Sequence, residues 1–156
     1  MWRSFVASSQ SFALSLHAFA KKAPENARQV VRKVAIDLLT ATVLRTPVGN
    51  PDLWKRKPPA GYVGGRLRAN WTVALVAPDT TTSEAIDKTG STTIAKGSQT
   101  ILQSDGEDDI YIMNSLPYAI PVEYGHSGVQ APQGMVRVSV AEFQAYVDKA
   151  AASLDR

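Results

Sequence analysis

SLPYAIPVEYGHSGVQAPQGMVR, residues 115–137, joins a short apolar run, IYIMN at 110–114, to a segment whose apolar residues recur with helical spacing. Pro117 fixes φ and suits the first turn of a helix, so 117–123 is expected to form about two turns that bring Tyr118, Val122 and Tyr124 together. Gly125 is expected to end that helix. Gly128, Pro132 and Gly134 then carry a loop to Met135, with glycine supplying backbone angles other residues resist.

Working outward, the flanking patterns give the fold class. After the joint, Val136, Val140, Phe143, Val147, Ala150 and Leu154 form the apolar stripe of a final helix starting near Gly134 or Met135. Before it, 110–114 reads as a strand, and Asp105-Gly106 with the acidic run 107–109 as the turn that precedes it. Ile94, Ser98, Ile101 and Leu102 have helical spacing, with a serine or threonine cap expected before them and Gly97 as a weak point. Residues 71–77 read as a strand through Trp71, Val73, Leu75 and Val76, and 78–92 as a solvent loop rich in threonine, serine and aspartate.

Residues 24–45 form the clearest helix. Pro24 stands at its start, Glu25 lies in the first turn where the dipole favours an anion, and the length is roughly 33 Å at ~1.5 Å per residue. Ala27, Val30, Val31, Val34, Leu38 and Ala41 make one stripe, while Ile36, Leu39 and Val43 make a second on another side. A small sheet covers only the first, so the second is expected to be buried by the C-terminal helix or by another subunit. Ahead of this helix, Phe12, Leu14 and Leu16 alternate with small or polar residues. That is a strand period, read as an extended arm over 1–16 leading to a helical turn at 17–22. Thr46-Pro47 stops the helix. The long loop 47–65 that follows holds Trp54, Lys55, Arg56, Lys57 and Tyr62, with Arg66 and Arg68 just beyond it, and loops of that length in compact domains are usually functional or mobile. The alternation of helices and strands gives an α+β domain, residues 17–156, in which a long N-terminal helix and a C-terminal helix pack on a small, mostly antiparallel sheet.

Composition bounds the function. The 156 residues, 44% hydrophobic, suffice for one domain with a core. A net charge of +3 is thin for a non-specific nucleic-acid binder. With no cysteine in the sequence there are no disulfides or thiolate metal sites. The N-terminus lacks an uninterrupted apolar signal-peptide core, and no run approaches the ~20 residues of a membrane span. Glu123 and His126, three residues apart, are the one carboxylate–imidazole pair in reach of each other, and Gly125 between them breaks the helix that would align them. Gly61 to Gly65 lacks the lysine-serine ending of a phosphate loop, and Gly125-His126-Ser127 lacks a nucleophile elbow. No catalytic residue, metal or cofactor is expected. The basic loop with its interleaved aromatics leaves a nucleic-acid-binding module open as an alternative.

The central run resembles the neck or tail-completion proteins of tailed bacteriophages, head–tail connector components that carry N-x-L-P-Y-A-x-x-x-E-Y-G-x-S-x-x-x-A-P-x-G-M-V-R. The matching residues are Asn114, Leu116, Pro117, Tyr118, Ala119, Glu123, Tyr124, Gly125, Ser127, Ala131, Pro132, Gly134, Met135, Val136 and Arg137. The same resemblance covers T-P-V followed, after an insertion, by G-R-x-R-x-x-W, here Thr46, Pro47, Val48, Gly65, Arg66, Arg68 and Trp71, with Asn70 beside them. It implies a structural virion protein whose copies close a ring, six by tail symmetry, at the head–tail junction. Implied neighbours are the connector or stopper and the tail tube or sheath, with DNA passing through the channel and no membrane. The implied location is the virion, after assembly in the host cytoplasm. Motif residues are expected to hold the fold, Glu123 pairing with Arg137 or Arg66. The expected subunit contacts are the arm with Phe12 and Leu14, the second helix face with Ile36, Leu39 and Val43, and the loop with Trp54, Lys55, Arg56 and Lys57.

Overall fold

The structure, a computed structural model, describes residues 9–126 and 128–154, with side chains from Pro24 onward. Its elements are α1 (Ser9–Arg45), a 3₁₀ turn (Pro51–Leu53), α2 (Arg66–Ala69), β1 (Trp71–Leu75), α3 (Ser91–Ile101), β2 (Ile110–Asn114), α4 (Ala119–Glu123), α5 (Val136–Ala141) and α6 (Phe143–Ala152). The α+β class stands, with helices against a two-stranded antiparallel sheet.

The strands pair in register from Trp71 opposite Asn114 to Leu75 opposite Ile110. Two strands alone are marginal in water, so the sheet depends on α3, which lies on β1 and on α1. Gly97 explains how close that approach is. A Cβ there would meet Leu39 Cδ2 at 2.5 Å and Val73 Cγ2 at 2.8 Å. The residue that weakens the helix by propensity is the one that lets it seat.

Helix α1 differs from expectation at its start. It begins at Ser9, so residues 12–16 are helical and Pro24 sits inside the helix rather than opening it. Three alternating apolar residues are too few to separate a period of 2 from one of 3.6, and the neighbouring alanines, serines, leucines and lysines are compatible with helix. Pro24 removes one N–H from the ladder without ending it. The side chains of Phe12 and Leu14, offered as contact residues, lie outside those described.

The two stripes of α1 also exchange roles. Leu39 and Val43 are fully buried at 0% exposure, and with Ala35, Leu67, Trp71, Ile101, Leu116, Ala119, Ala131 and Met135 they form the core. Ile36 packs against it, half-buried. Leu39 and Val43 are therefore clothed by their own chain and are not open to another subunit, whereas Ile36 keeps part of its surface outward. The physical reason is that α3 and α6 both pack on α1, covering more of it than a sheet alone. In the other stripe Val34 is buried, Ala27 is exposed and Val30, Val31, Leu38 and Ala41 are half-buried.

The final helix is two helices. α5 ends at Ala141 and α6 starts at Phe143, with Glu142 in the break; Ser139 and Ala150 are buried, whereas Val136, Val140 and Phe143 are exposed. No helix among the described residues is long and apolar enough to cross a membrane.

Replacing Leu39 by alanine is expected to lower folding stability by about 2–5 kcal/mol, the range for emptying a fully buried leucine site, as read from denaturant unfolding. Unchanged stability with altered assembly would return Leu39 to an interface.

Candidate functional site

Two hydrogen-bonded joints gather most of the residues that the sequence singles out. The first closes the C-terminus of α1, where helix carbonyls lack partners. Arg68 donates from Nη2 to the Thr46 carbonyl at 2.7 Å and to that of Leu44 at 3.2 Å, and from Nη1 to that of Lys88 at 2.6 Å. A guanidinium on the last carbonyls also suits the negative end of the helix dipole. Thr46 is itself fully buried: its Oγ1 donates to Thr42 O at 2.8 Å and accepts from Trp71 Nε1 at 2.7 Å. Asn70, two percent exposed, bonds through both ends of its amide to the main chain of Ser83, and Asn114 Nδ2 reaches Leu67 O at 2.7 Å. Arg66 pairs with Glu84 at 2.6 Å rather than with Glu123.

Gly65 makes the bend into this joint, with φ +109 and the Asp87–Lys88 backbone within 3.2 Å of where a Cβ would sit. Asp87 then caps α3, accepting from the amides of Gly90 at 2.7 Å and Thr93 at 2.9 Å and from the Thr93 hydroxyl at 2.9 Å. The expected serine or threonine cap is thus replaced by an aspartate. Burial pushes its carboxyl upward, but these donors overcome that and hold it below the usual carboxylate range.

The second joint lies inside 115–137. The Glu123 carboxylate accepts from three consecutive amides at the start of α5, those of Met135 at 2.7 Å, Val136 at 2.8 Å and Arg137 at 2.9 Å. An anion at a helix N-terminus meets both orphan N–H groups and the positive end of the dipole. Arg137 adds an ion pair to Glu123 at 3.3 Å and donates to its carbonyl at 2.6 Å, so the expected Glu123–Arg137 pair is made. Gly134, at φ +86, lets the chains meet, since a Cβ there would press on the Glu123 carbonyl and lie 2.6 Å from Oε1. Burial raises the Glu123 carboxyl, and the amides of Arg137, Val136 and Met135 bring it below the ordinary value. Arg137 also sits 5.0 Å over the ring of Tyr124. Tyr124 is otherwise 72% exposed and Tyr118 is exposed too, so neither tyrosine is a core residue. Gly125 ends α4 at φ +83 with Pro132 O 2.9 Å from its would-be Cβ; Ser127 lies outside the described residues.

These geometries dismantle the one carboxylate–imidazole pair in the sequence. Both Glu123 oxygens are taken by amides, and His126 is exposed and bonds through its backbone N to Pro121 O at 3.0 Å. No group of three or more His, Cys, Asp or Glu among the described residues is placed to hold a metal.

The loop 48–65 is built differently. Its two ends meet, with Gly64 against Gly49 and Val48, and the Tyr62 hydroxyl packed on Gly49. Asn50 Oδ1 accepts from Asp52 N at 3.0 Å to start the 3₁₀ turn, and Trp54 and Tyr62 rings lie 4.7 Å apart. The tip exposes Leu53, Trp54, Lys55, Arg56 and Lys57, and the three cations form no ion pair among the described residues. Pro47 is half-buried at its foot, and Pro132 is exposed. Comparison with family models, with curated proteins and with solved structures finds no match.

Glu123→Ala is expected to cost about 1–3 kcal/mol of stability, as for losing a helix cap with buried donors. Because the folded carboxyl is depressed, its contribution is full above about pH 4.3 and is lost as pH falls through the lower folded value. Wild type should therefore lose its margin over Glu123→Gln on acidification in pH-dependent denaturant melts. A constant margin down to strong acid would show that the charge of Glu123 is not what stabilises the joint.

Proposed function

We propose that this chain is a structural component of the neck of a tailed phage, self-assembling into a ring at the head–tail junction that completes or terminates the tail and joins it to the connector. The carrying observation is a division of labour. Thr46, Arg68, Trp71, Glu123, Gly134 and Arg137, all in the phage-like run, are engaged in holding the fold. Among the groups left outward are a tethered loop with apolar and cationic residues, and an apolar stripe of Val136, Val140 and Phe143. A scaffold that spends its polar groups internally and presents two unlike surfaces suits a protein that works by contact. Heterologous contacts between unlike surfaces are what close a ring.

A second reading, a nucleic-acid-binding module, draws on the exposed Trp54 beside Lys55, Arg56 and Lys57. Salt-dependent retention of DNA would support it.

Native mass spectrometry and negative-stain images of the purified full chain, with antibody labelling of isolated particles, test the leading reading. The expected result is a closed homo-oligomer, six copies by tail symmetry, and label at the particle neck. A chain that is monomeric throughout and absent from particles would overturn it.

A further inference from the structure

The loop 48–65 and the turn 105–109 stand apart along α1, the turn beside its middle and the loop at its C-terminal end. Arg28 Nε, mid-helix, reaches the Asp105 carbonyl, while Thr46 and the foot of the loop mark the C-terminal end, about 27 Å away at ~1.5 Å per residue. Their charges are opposite. The loop tip holds Lys55, Arg56 and Lys57 against a single acid, Asp52. The turn holds four carboxylates, of which Asp105 and Asp108 fold inward onto turn amides at 2.8 Å and 3.1 Å. Glu107 and Asp109 stay exposed with no ion pair among the described residues, and nearby Arg28 is already held by Glu25 at 2.9 Å.

Each charged end has an apolar companion. Leu53 and Trp54 are 51% and 40% exposed beside the cations. Next to the acids, Val76 is 72% exposed, and its N–H donates to Asp109 O at 3.1 Å. Val76 is held at φ +70, a conformation that a β-branched residue resists. An apolar centre with a charged rim is the ordinary anatomy of a protein contact.

We infer that the 48–65 loop of one copy seats on the 105–109 turn of a second copy of this chain, a contact between two unlike surfaces. The inference rests on the self-assembly part of the reading above and not on where in a particle the assembly sits. A nucleic-acid partner is less well matched, because a phosphate backbone is tracked by an extended basic groove. Here Arg45, Arg66 and Arg137 are each committed to a carboxylate of their own chain, and the three adjacent cations of the loop tip form a compact cluster rather than an extended track. A second copy also gives the acidic turn a role.

The test is a charge swap in the full chain, read by sedimentation velocity and native mass spectrometry, with circular dichroism to confirm folding. K55E/R56E/K57E and E107K/D109K should each weaken self-association about tenfold or more, and added salt should weaken that of wild type. Mixing the two variants should restore assembly in alternating order, since each acidic surface then meets a basic one. Variants that assemble like wild type, a mixture that stays dissociated, or a wild type monomeric at every concentration and ionic strength would overturn the contact. So would salt-sensitive DNA binding lost in K55E/R56E/K57E while self-association is unchanged. Rescue by mixing, together with absence of the chain from particle necks, would keep this contact and remove the neck reading alone.

Discussion

The last turn of α1 is the constraint on which the rest of the molecule depends. A helix that stops in the protein interior leaves carbonyls without partners, and leaving them unmet costs as much as the bonds themselves would contribute. Arg68 meets that need at the Thr46 and Leu44 carbonyls, and the Thr46 hydroxyl, itself held by the indole of Trp71, meets it at Thr42. In the same turn Arg45 reaches out to both oxygens of Glu142 at 2.8 Å and to Ser139 Oγ at 3.0 Å. One turn thereby fixes α2, β1 and the α5–α6 junction together. The entry of β1 sets the register with β2, and through Asn114 it sets where the 115–137 segment begins.

The same device, a charged side chain satisfying helix-end groups, recurs at Asp87 and Glu123. Arg68 serves carbonyls at a C-terminus, while the two carboxylates serve amides at N-termini, each in the sense the helix dipole favours. A domain whose sheet is only two strands gains rigidity from such ties more than from the sheet. That rigidity bears on function. The loop 48–65 is pinched at Gly49 and Gly64 on the foot of this joint, so its exposed tip is presented by a firm base.

Much of this was legible in advance, and the failures are instructive. Both strands, α3, α4 and the body of α1 follow from periodicity and from Pro and Gly punctuation, and of the two partners open to Glu123, Arg137 and Arg66, the fold takes the first and gives the second to Glu84. Which face of α1 is inside did not follow. Both stripes are apolar, and the side of Leu39 and Val43 is covered by α3 and by residues of α2, β1 and the 116–135 segment, a long-range outcome that a local pattern does not encode. Gly97 read as a defect because its value lies in the neighbour it admits. The Asp87 cap was missed because Gly90 occupies the capping position and the carboxylate reaches in from three residues upstream. Spacing alone made Glu123 and His126 look like a pair; the amides at the start of α5, brought in by Gly134, claim the carboxylate instead.

The central claim is that the two joints belong to the fold itself and that the loop 48–65 stands apart from it. Native-state hydrogen exchange of the full chain tests this most directly, since it ranks segments by the free energy of their opening. The expected result is that the bonded amides of Thr46, Val136 and Arg137 exchange only on openings far rarer than those of the loop tip at 53–57. Exchange at 135–137 as fast as at 53–57 would contradict it.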